Sequence, residues 1–213
     1  MDRIIIGITG GIACGKSLIS QFFKELGAEV LSADELSREV VKPGSKTFKQ
    51  IVKHFGKEIL TTEGTIDRSR LAKRIFQSPE DRLLLNQMIH PAIAHLADLR
   101  INELKTRHNV PLIIYEAPLL FEAKGEKRVD LVLVVSCTPE QQIERLIKRD
   151  NLSREEALQR IATQMPLAEK ISRADILIEN NASPEETKKK IERIFVELMS
   201  PRKKKGPPES GDL

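Results

Sequence analysis

The sequence predicts an α/β fold of three layers, a five-stranded parallel sheet between helices, with one helical insertion after the second strand and a second helical unit after the fourth. Three observations lead there. Short, continuously apolar runs recur along the chain, as strands covered on both faces require. Helix-compatible stretches separate them, and parallel neighbours need such crossover connections. The first run ends directly in a glycine-rich loop that opens a helix.

The elements come in order along the chain. Arg3-Ile4-Ile5-Ile6-Gly7-Ile8-Thr9 reads as the first strand, and the stretch 16–26 as a helix stopped by Gly27. A short strand at 29–31 precedes Ser32-Ala33-Asp34, which opens the next helix. Residues 35–109 read almost wholly as helix, broken by the turn-rich Thr61-Thr62-Glu63-Gly64-Thr65, and are too long for a simple crossover. Leu112-Ile113-Ile114-Tyr115, Leu131-Val132-Leu133-Val134-Val135 and Ile176-Leu177-Ile178 supply the remaining strands. Thr138-Pro139-Glu140-Gln141, Ser153-Arg154-Glu155-Glu156 and Ser183-Pro184-Glu185-Glu186 are capping-box starts of three later helices. The expected organisation is a core of 1–34, 110–138 and 171–200, an insertion at 35–109, a helical unit at 139–170 and a tail at 201–213. That tail is charged, rich in Pro and Gly and without an apolar face, so disorder is expected.

Bulk composition narrows the class. The 213 residues are 40% hydrophobic and 31% charged, with no Trp and one Tyr, the balance of a soluble globular protein. No run approaches the roughly 18 to 20 apolar residues of a membrane span, and Met1-Asp2-Arg3 has no signal-peptide layout, so the cytoplasm is expected. Cys14 and Cys137 fit neither a disulfide framework nor a zinc-ligand spacing. The net charge of +4 owes half its value to the tail, where Arg202, Lys203, Lys204 and Lys205 face only Glu209 and Asp212. No basic, aromatic-studded surface is visible, which argues against a nucleic-acid partner. A monomer or weak homo-oligomer is expected, without a membrane partner.

Gly10-Gly11-Ile12-Ala13-Cys14-Gly15-Lys16-Ser17 satisfies the G-x-x-x-x-G-K-[ST] pattern between a strand and a helix. Glycines there let successive backbone N–H groups turn inward around phosphate, and the helix adds its positive end. Lys16 is expected to reach the β- and γ-phosphates of ATP, and the Ser17 hydroxyl to ligate Mg²⁺. Gly11, Ile12, Ala13, Cys14, Gly15, Lys16, Ser17 and Leu18 thus form the expected nucleotide contact. Cys14 admits two readings, a small residue that the loop tolerates or a thiol activated at a helix start; the first is favoured.

A phosphate loop does not name the acceptor. The guanine-reading N-K-x-D of GTPase switches is absent, and the third strand ends Tyr115-Glu116-Ala117-Pro118 with a single carboxylate where motor ATPases often carry two. Arg145 and Arg149 are four apart and share a helix face, with Lys148, Arg154 and Arg160 nearby. Such a cluster reads as a lid that neutralises a transferring phosphoryl group and excludes water, against the alternative of a solvated face paired with Glu140, Glu144 and Glu155. Asp34 follows the second strand, where its carboxylate opens onto the same sheet edge as the loop; it suits either a catalytic base or a helix N-cap.

With these residues placed, the sequence resembles the dephospho-CoA kinase family of P-loop kinases over nearly all of residues 3–200. The resemblance rests on Gly7-Ile8-Thr9-Gly10-Gly11-Ile12, Ser32-Ala33-Asp34 with Arg38, His90-Pro91 and Pro118-Leu119-Leu120-Phe121-Glu122. It continues through Arg145, Arg149-Asp150, Arg160-Ile161-Ala162-Thr163-Gln164-Met165-Pro166, and Lys170 onward to Ile178-Glu179-Asn180. The resemblance implies a P-loop, nucleotide-kinase-like fold with a helical substrate insertion and a helical lid. It implies ATP- and Mg²⁺-dependent phosphorylation of the ribose 3′-hydroxyl of dephospho-CoA, giving coenzyme A and ADP, the last step of coenzyme A biosynthesis. Carried onto this chain, Asp34 becomes the base, with Lys16, Arg145 and Arg149 acting on phosphate. Asn180 falls beside adenine, and Arg38, His90, Pro118 and Leu119 shape the acceptor side. For His90 a purely structural place, ending one helix before Pro91 starts the next, stands equally open. Ala13-Cys14 replaces the family's usual Gly-Ser, Leu18 stands where Thr is common, and Ser32 replaces a first Asp. Two rivals remain: a nucleoside or nucleotide kinase of the same fold, and an ATP-binding regulatory module without turnover.

Overall fold

The computed structural model describes residues 3–200, so the tail lies outside the described residues. All five expected strands form one parallel sheet: β1 (Ile4–Gly10), β2 (Glu29–Ser32), β3 (Leu112–Glu116), β4 (Leu131–Ser136) and β5 (Ile176–Glu179), in spatial order β2-β3-β1-β4-β5. The alternation of side chains along each strand divides the apolar residues between two cores. Ile6, Ile8, Leu112, Ile114, Leu133, Val135 and Ile178 pack on one face against Ile19, Phe22 and Phe23 of α1 (Lys16–Glu25), together with Ile191. Ile5, Ile113, Tyr115, Val132 and Val134 point to the other face. Burial of each such side chain stabilises the fold by about 2 kcal/mol.

Between β2 and β3 the chain forms α2 (Ala33–Glu39), α3 (Lys46–Phe55), α4 (Arg68–Gln77) and α5 (Pro79–Thr106). Ile51, Phe55, Ile59, Leu71 and Leu85 give these helices a satellite core of their own. The expected break at 61–65 is a tight hairpin, closed by a bridge between Leu60 and Ile66, with Gly64 at φ 75°. After β4 come α6 (Pro139–Asp150), α7 (Arg154–Ala162) and α8 (Leu167–Ser172), and after β5 comes α9 (Pro184–Met199), which carries Ile191 back to the α1 face.

Three local expectations need correction. Pro91 does not start a helix, because α5 runs unbroken through it. One end of α5 feeds Leu85, Met88 and Ile89 to the satellite core and the other lays Ala97, Ile101 and Leu104 on the sheet. That burial offsets the roughly 3 kcal/mol an internal proline costs. Asp34 is not the N-cap of α2; the Ser32 hydroxyl accepts from the Glu35 N–H, which leaves Asp34 in the first turn. The boxes at Ser153 and Ser183 close fully, but Thr138 makes half of one: Gln141 donates instead to the Asn181 carbonyl, and Asn181 Oδ1 takes the Thr138 N–H.

A buried ion pair fixes the segment after β3. Lys170 of α8, with no solvent exposure, donates to the Pro118 carbonyl at 2.8 Å and lies 3.0 Å from Glu122 Oε1, which also accepts from the Met165 N–H. Removing the ammonium leaves a largely buried carboxylate without its counter-charge. Lys170→Met is therefore expected to lower unfolding free energy by about 2 to 3 kcal/mol in urea titration; an unmoved midpoint would mean the pair contributes nothing.

Candidate active site

The site lies at the carboxyl ends of β1, β3 and β4, where strand order places the glycine-rich loop beside the residues just past β2 and β3. Gly15 caps α1 at φ 95°, and a Cβ there would lie 2.2 Å from Asn180 Nδ2, so only glycine fits. Ala13 is held at φ 61°, a left-handed conformation that a side chain makes costly, which gives glycine a physical advantage at that position.

Side-chain amides, two of them buried, hold the loop from below and from the side. The Asn180 Nδ2 donates to the Cys14 carbonyl at 2.9 Å, while its Oδ1 accepts from Thr187. Gln142 donates to the Ile12 carbonyl, and the Ile12 N–H donates to Gln164 Oε1. Lys16 Nζ folds back onto the Gly11 carbonyl at 2.8 Å and the Gly10 carbonyl at 3.3 Å. Burial pushes its ammonium below the ordinary lysine value, against the pull of Cys14, Glu116 and Asp34.

Two cavities open here. A cleft of about 260 Å³ is lined by Ala13, Gly15, Lys16, Ser17, Leu18, Glu116, Arg145 and Arg149, together with Asp34 and Pro118. A second cavity of about 230 Å³ runs between α2, α5 and the segment after β3; Ser37, His90, Tyr115, Leu119 and Arg128 line it, and again Asp34 and Pro118. Asp34 thus stands on the wall between the two. Among the described residues no hydrogen bond or ion pair engages its carboxylate.

A family model for dephospho-CoA kinase matches residues 4–186. The dephospho-CoA kinase of Geobacter sulfurreducens is 48% identical over 191 residues, 90% of this chain and 96% of that protein. That of Syntrophotalea carbinolica is 44% identical over 208 residues, 98% of each chain. The chain belongs to the dephospho-CoA kinase family. A solved dephospho-CoA kinase from Campylobacter jejuni superposes with a TM-score of 0.70 at 27% identity, covering 92% of this chain and 96% of that one.

For a member of this family, the disposition of the expected residues is uneven. Ala13, Gly15 to Leu18, Asp34, Arg145 and Arg149 converge on the cleft, to whose lining Gly11, Ile12 and Cys14 do not contribute, Cys14 being packed into the core; His90, Pro118 and Leu119 gather at the second cavity. Half burial favours the neutral ring and holds the His90 imidazole below its usual value, partly opposed by the Glu122 carboxylate. Arg38 lies one turn beyond Asp34 on α2, lining neither cavity. Asn180 is buried beneath the loop, its amide taken up by Cys14 and Thr187, and its carbonyl accepts from Arg145 at 3.1 Å. Arg149 pairs with Asp150 at 2.8 Å, and Asp150 also accepts from Arg160.

Sequence reasoning missed Glu116, Gln142 and Gln164. Glu116 could have been found, since a carboxylate ending the strand next to the loop strand faces the loop's hydroxyl; Ser17 Oγ donates to Glu116 Oε1 at 2.7 Å. Gln142 carried no signal beyond an ordinary helical surface, and Gln164, though within the stretch 160–166 that carries the resemblance, lies in the turn after α7 with nothing local to mark its contact. The Ser17 hydroxyl and the Glu116 and Asp34 carboxylates form a set of hard oxygen donors around one cleft, which suits Mg²⁺ completed by water and phosphate. Gly15→Ala is expected to weaken ATP binding at least tenfold in equilibrium titration, because the methyl group displaces Asn180; near-normal affinity would show that the loop does not depend on that contact.

Proposed function

We propose that the protein transfers the γ-phosphoryl group of ATP to the ribose 3′-hydroxyl of dephospho-CoA, giving coenzyme A and ADP. One observation carries the reading beyond family membership: the phosphate cleft and the second cavity share Asp34 and Pro118, so two ligands, one in each, meet at a free carboxylate. ATP occupies the cleft, with its phosphates against the loop N–H groups and Lys16. Dephospho-CoA enters beside His90, Tyr115 and Leu119. Asp34 accepts a hydrogen bond from the 3′-hydroxyl, aligns it for in-line attack and takes its proton. Arg145 and Arg149 offset the charge that spreads over the transferring group.

Ser17 and Glu116 would hold Mg²⁺, which when bound neutralises the β- and γ-phosphate oxygens. Lys16 leaves the Gly10 and Gly11 carbonyls to reach phosphate, a short swing from an already buried position. In this reading 35–109 is the acceptor-binding insertion and 139–170 the lid, with the remaining described residues forming the nucleotide core. Asp150 holds Arg149 and Arg160 together across α6 and α7, so the lid carries its cations as a set. On the family reading we assign the enzyme to the cytoplasm as a monomer or weak oligomer. Among the described residues no helix is long and apolar enough to cross a membrane.

Two outcomes test the reading. With Mg-ATP, ADP release should require dephospho-CoA; release with nucleoside monophosphates alone would assign the acceptor cavity to a nucleotide kinase. Asp34→Asn should leave ATP affinity intact and lower turnover by about 10² or more, the usual contribution of a positioned base. Unchanged turnover would remove Asp34 from the chemistry.

A further inference from the structure

Cys14 and Cys137 are far apart in sequence yet meet inside the molecule. Their sulfurs are 2.8 Å apart, with Cys14 fully buried in the phosphate loop and Cys137 at 7% exposure just past the end of β4. Both are free thiols. A disulfide needs sulfurs at about 2.05 Å, so less than about 1 Å of movement separates the dithiol from the cross-link.

We infer that Cys14 and Cys137 form a reversible intramolecular disulfide under peroxide, and that this cross-link closes the phosphate loop to nucleotide. The inference rests on the nucleotide-binding reading of the same loop. The Cys14 thiol is the first to ionise: the hydrogen bond from Cys137 pushes it down, and the Lys16 and Arg145 cations add to that, while Cys137 is pushed up. The Cys14 thiolate attacks a peroxide oxygen, the O–O bond breaks, and a sulfenic acid and hydroxide form. The Cys137 sulfur then attacks the Cys14 sulfur. The S–O bond breaks and the departing hydroxide leaves as water with the Cys137 proton. Two thiols lose two electrons and two protons, and one peroxide becomes two waters.

Burial of both sulfurs favours so small an oxidant over bulky disulfides. Neither sulfur lines the phosphate cleft, whose wall carries Ala13 and Gly15 on either side of Cys14, so peroxide must reach Cys14 through a transient opening of the loop between them. The loop is the part that moves on cross-linking, because Cys137 follows a strand hydrogen-bonded on both sides. Pulling Cys14 toward β4 draws on its carbonyl, which Asn180 holds, and on the adjoining Gly15 peptide, so the N–H groups that would face phosphate lose their alignment.

The experiment treats the full chain with stoichiometric hydrogen peroxide, with and without Mg-ATP, and follows intact mass, ATP affinity and turnover. The expected result is loss of two hydrogens in mass, at least a tenfold fall in ATP affinity, protection by Mg-ATP and full recovery with dithiothreitol. Cys137→Ala should keep basal turnover and escape the reversible loss, and Cys137→Ser serves if the alanine variant folds poorly. The inference is overturned if both thiols are still alkylated when the treated protein is unfolded, if the disulfide forms with ATP affinity unchanged, or if Cys137→Ala loses activity as the wild type does. Failure of the untreated protein to bind ATP would instead overturn the nucleotide reading itself.

Discussion

The phosphate loop leaves the central strand as a turn with no room for a side chain at Gly15, and everything around it is arranged to hold that turn still. Asn180 fills the space where a Cβ would lie and grips the Cys14 carbonyl, while Gln142 and Gln164 take both polar groups of Ile12. These amides come from the segment after β5, from α6 and from the turn after α7. Sheet order explains why they can: β1 sits between β3 and β4, so the loop at its end lies within reach of the segments that leave the neighbouring strands. A backbone whose N–H groups must meet phosphate cannot be left to fluctuate, because misaligned donors lose most of their electrostatic effect.

The second cavity is built on a different principle. Its wall is the segment after β3, clamped by the buried Lys170–Glu122 pair, and one long helix that serves two cores at once. A charge pair as buried as this contributes little net stability against a well-packed apolar substitute. Its evident effect is geometric, since Lys170 fixes the Pro118 carbonyl and Pro118 borders both cavities. Asp34 gains its unpaired place because Ser32, one residue outside α2, performs the capping that an aspartate there could have done.

Much of this was legible in the chain. Four of the strands declared themselves as continuous apolar runs because a parallel sheet is covered on both faces, the short edge strand β2 by the helix stop at Gly27 and the helix start after it, and the loop because its glycines and Lys16-Ser17 have few other uses at a strand–helix junction. The features that stayed hidden depend on contacts between distant segments. Glu116 reads as the end of a strand until β3 is paired beside β1, and Lys170, though part of the stretch that carries the resemblance, shows its partner only once α8 is packed over the segment after β3. Pro91 reads as a helix boundary because local propensity weighs against it, and only the burial on both halves of α5 overrides that. The pairing of Cys14 with Cys137 likewise appears only once β4 is placed beside the loop strand.

If two ligands occupy the adjoining cavities and meet at Asp34, each must bind while the other is present. Calorimetric titration of dephospho-CoA into protein already saturated with Mg²⁺ and a non-hydrolysable ATP analogue tests this most directly. One dephospho-CoA should bind per chain with the analogue still in place. Displacement of the analogue by dephospho-CoA would contradict the two-cavity arrangement.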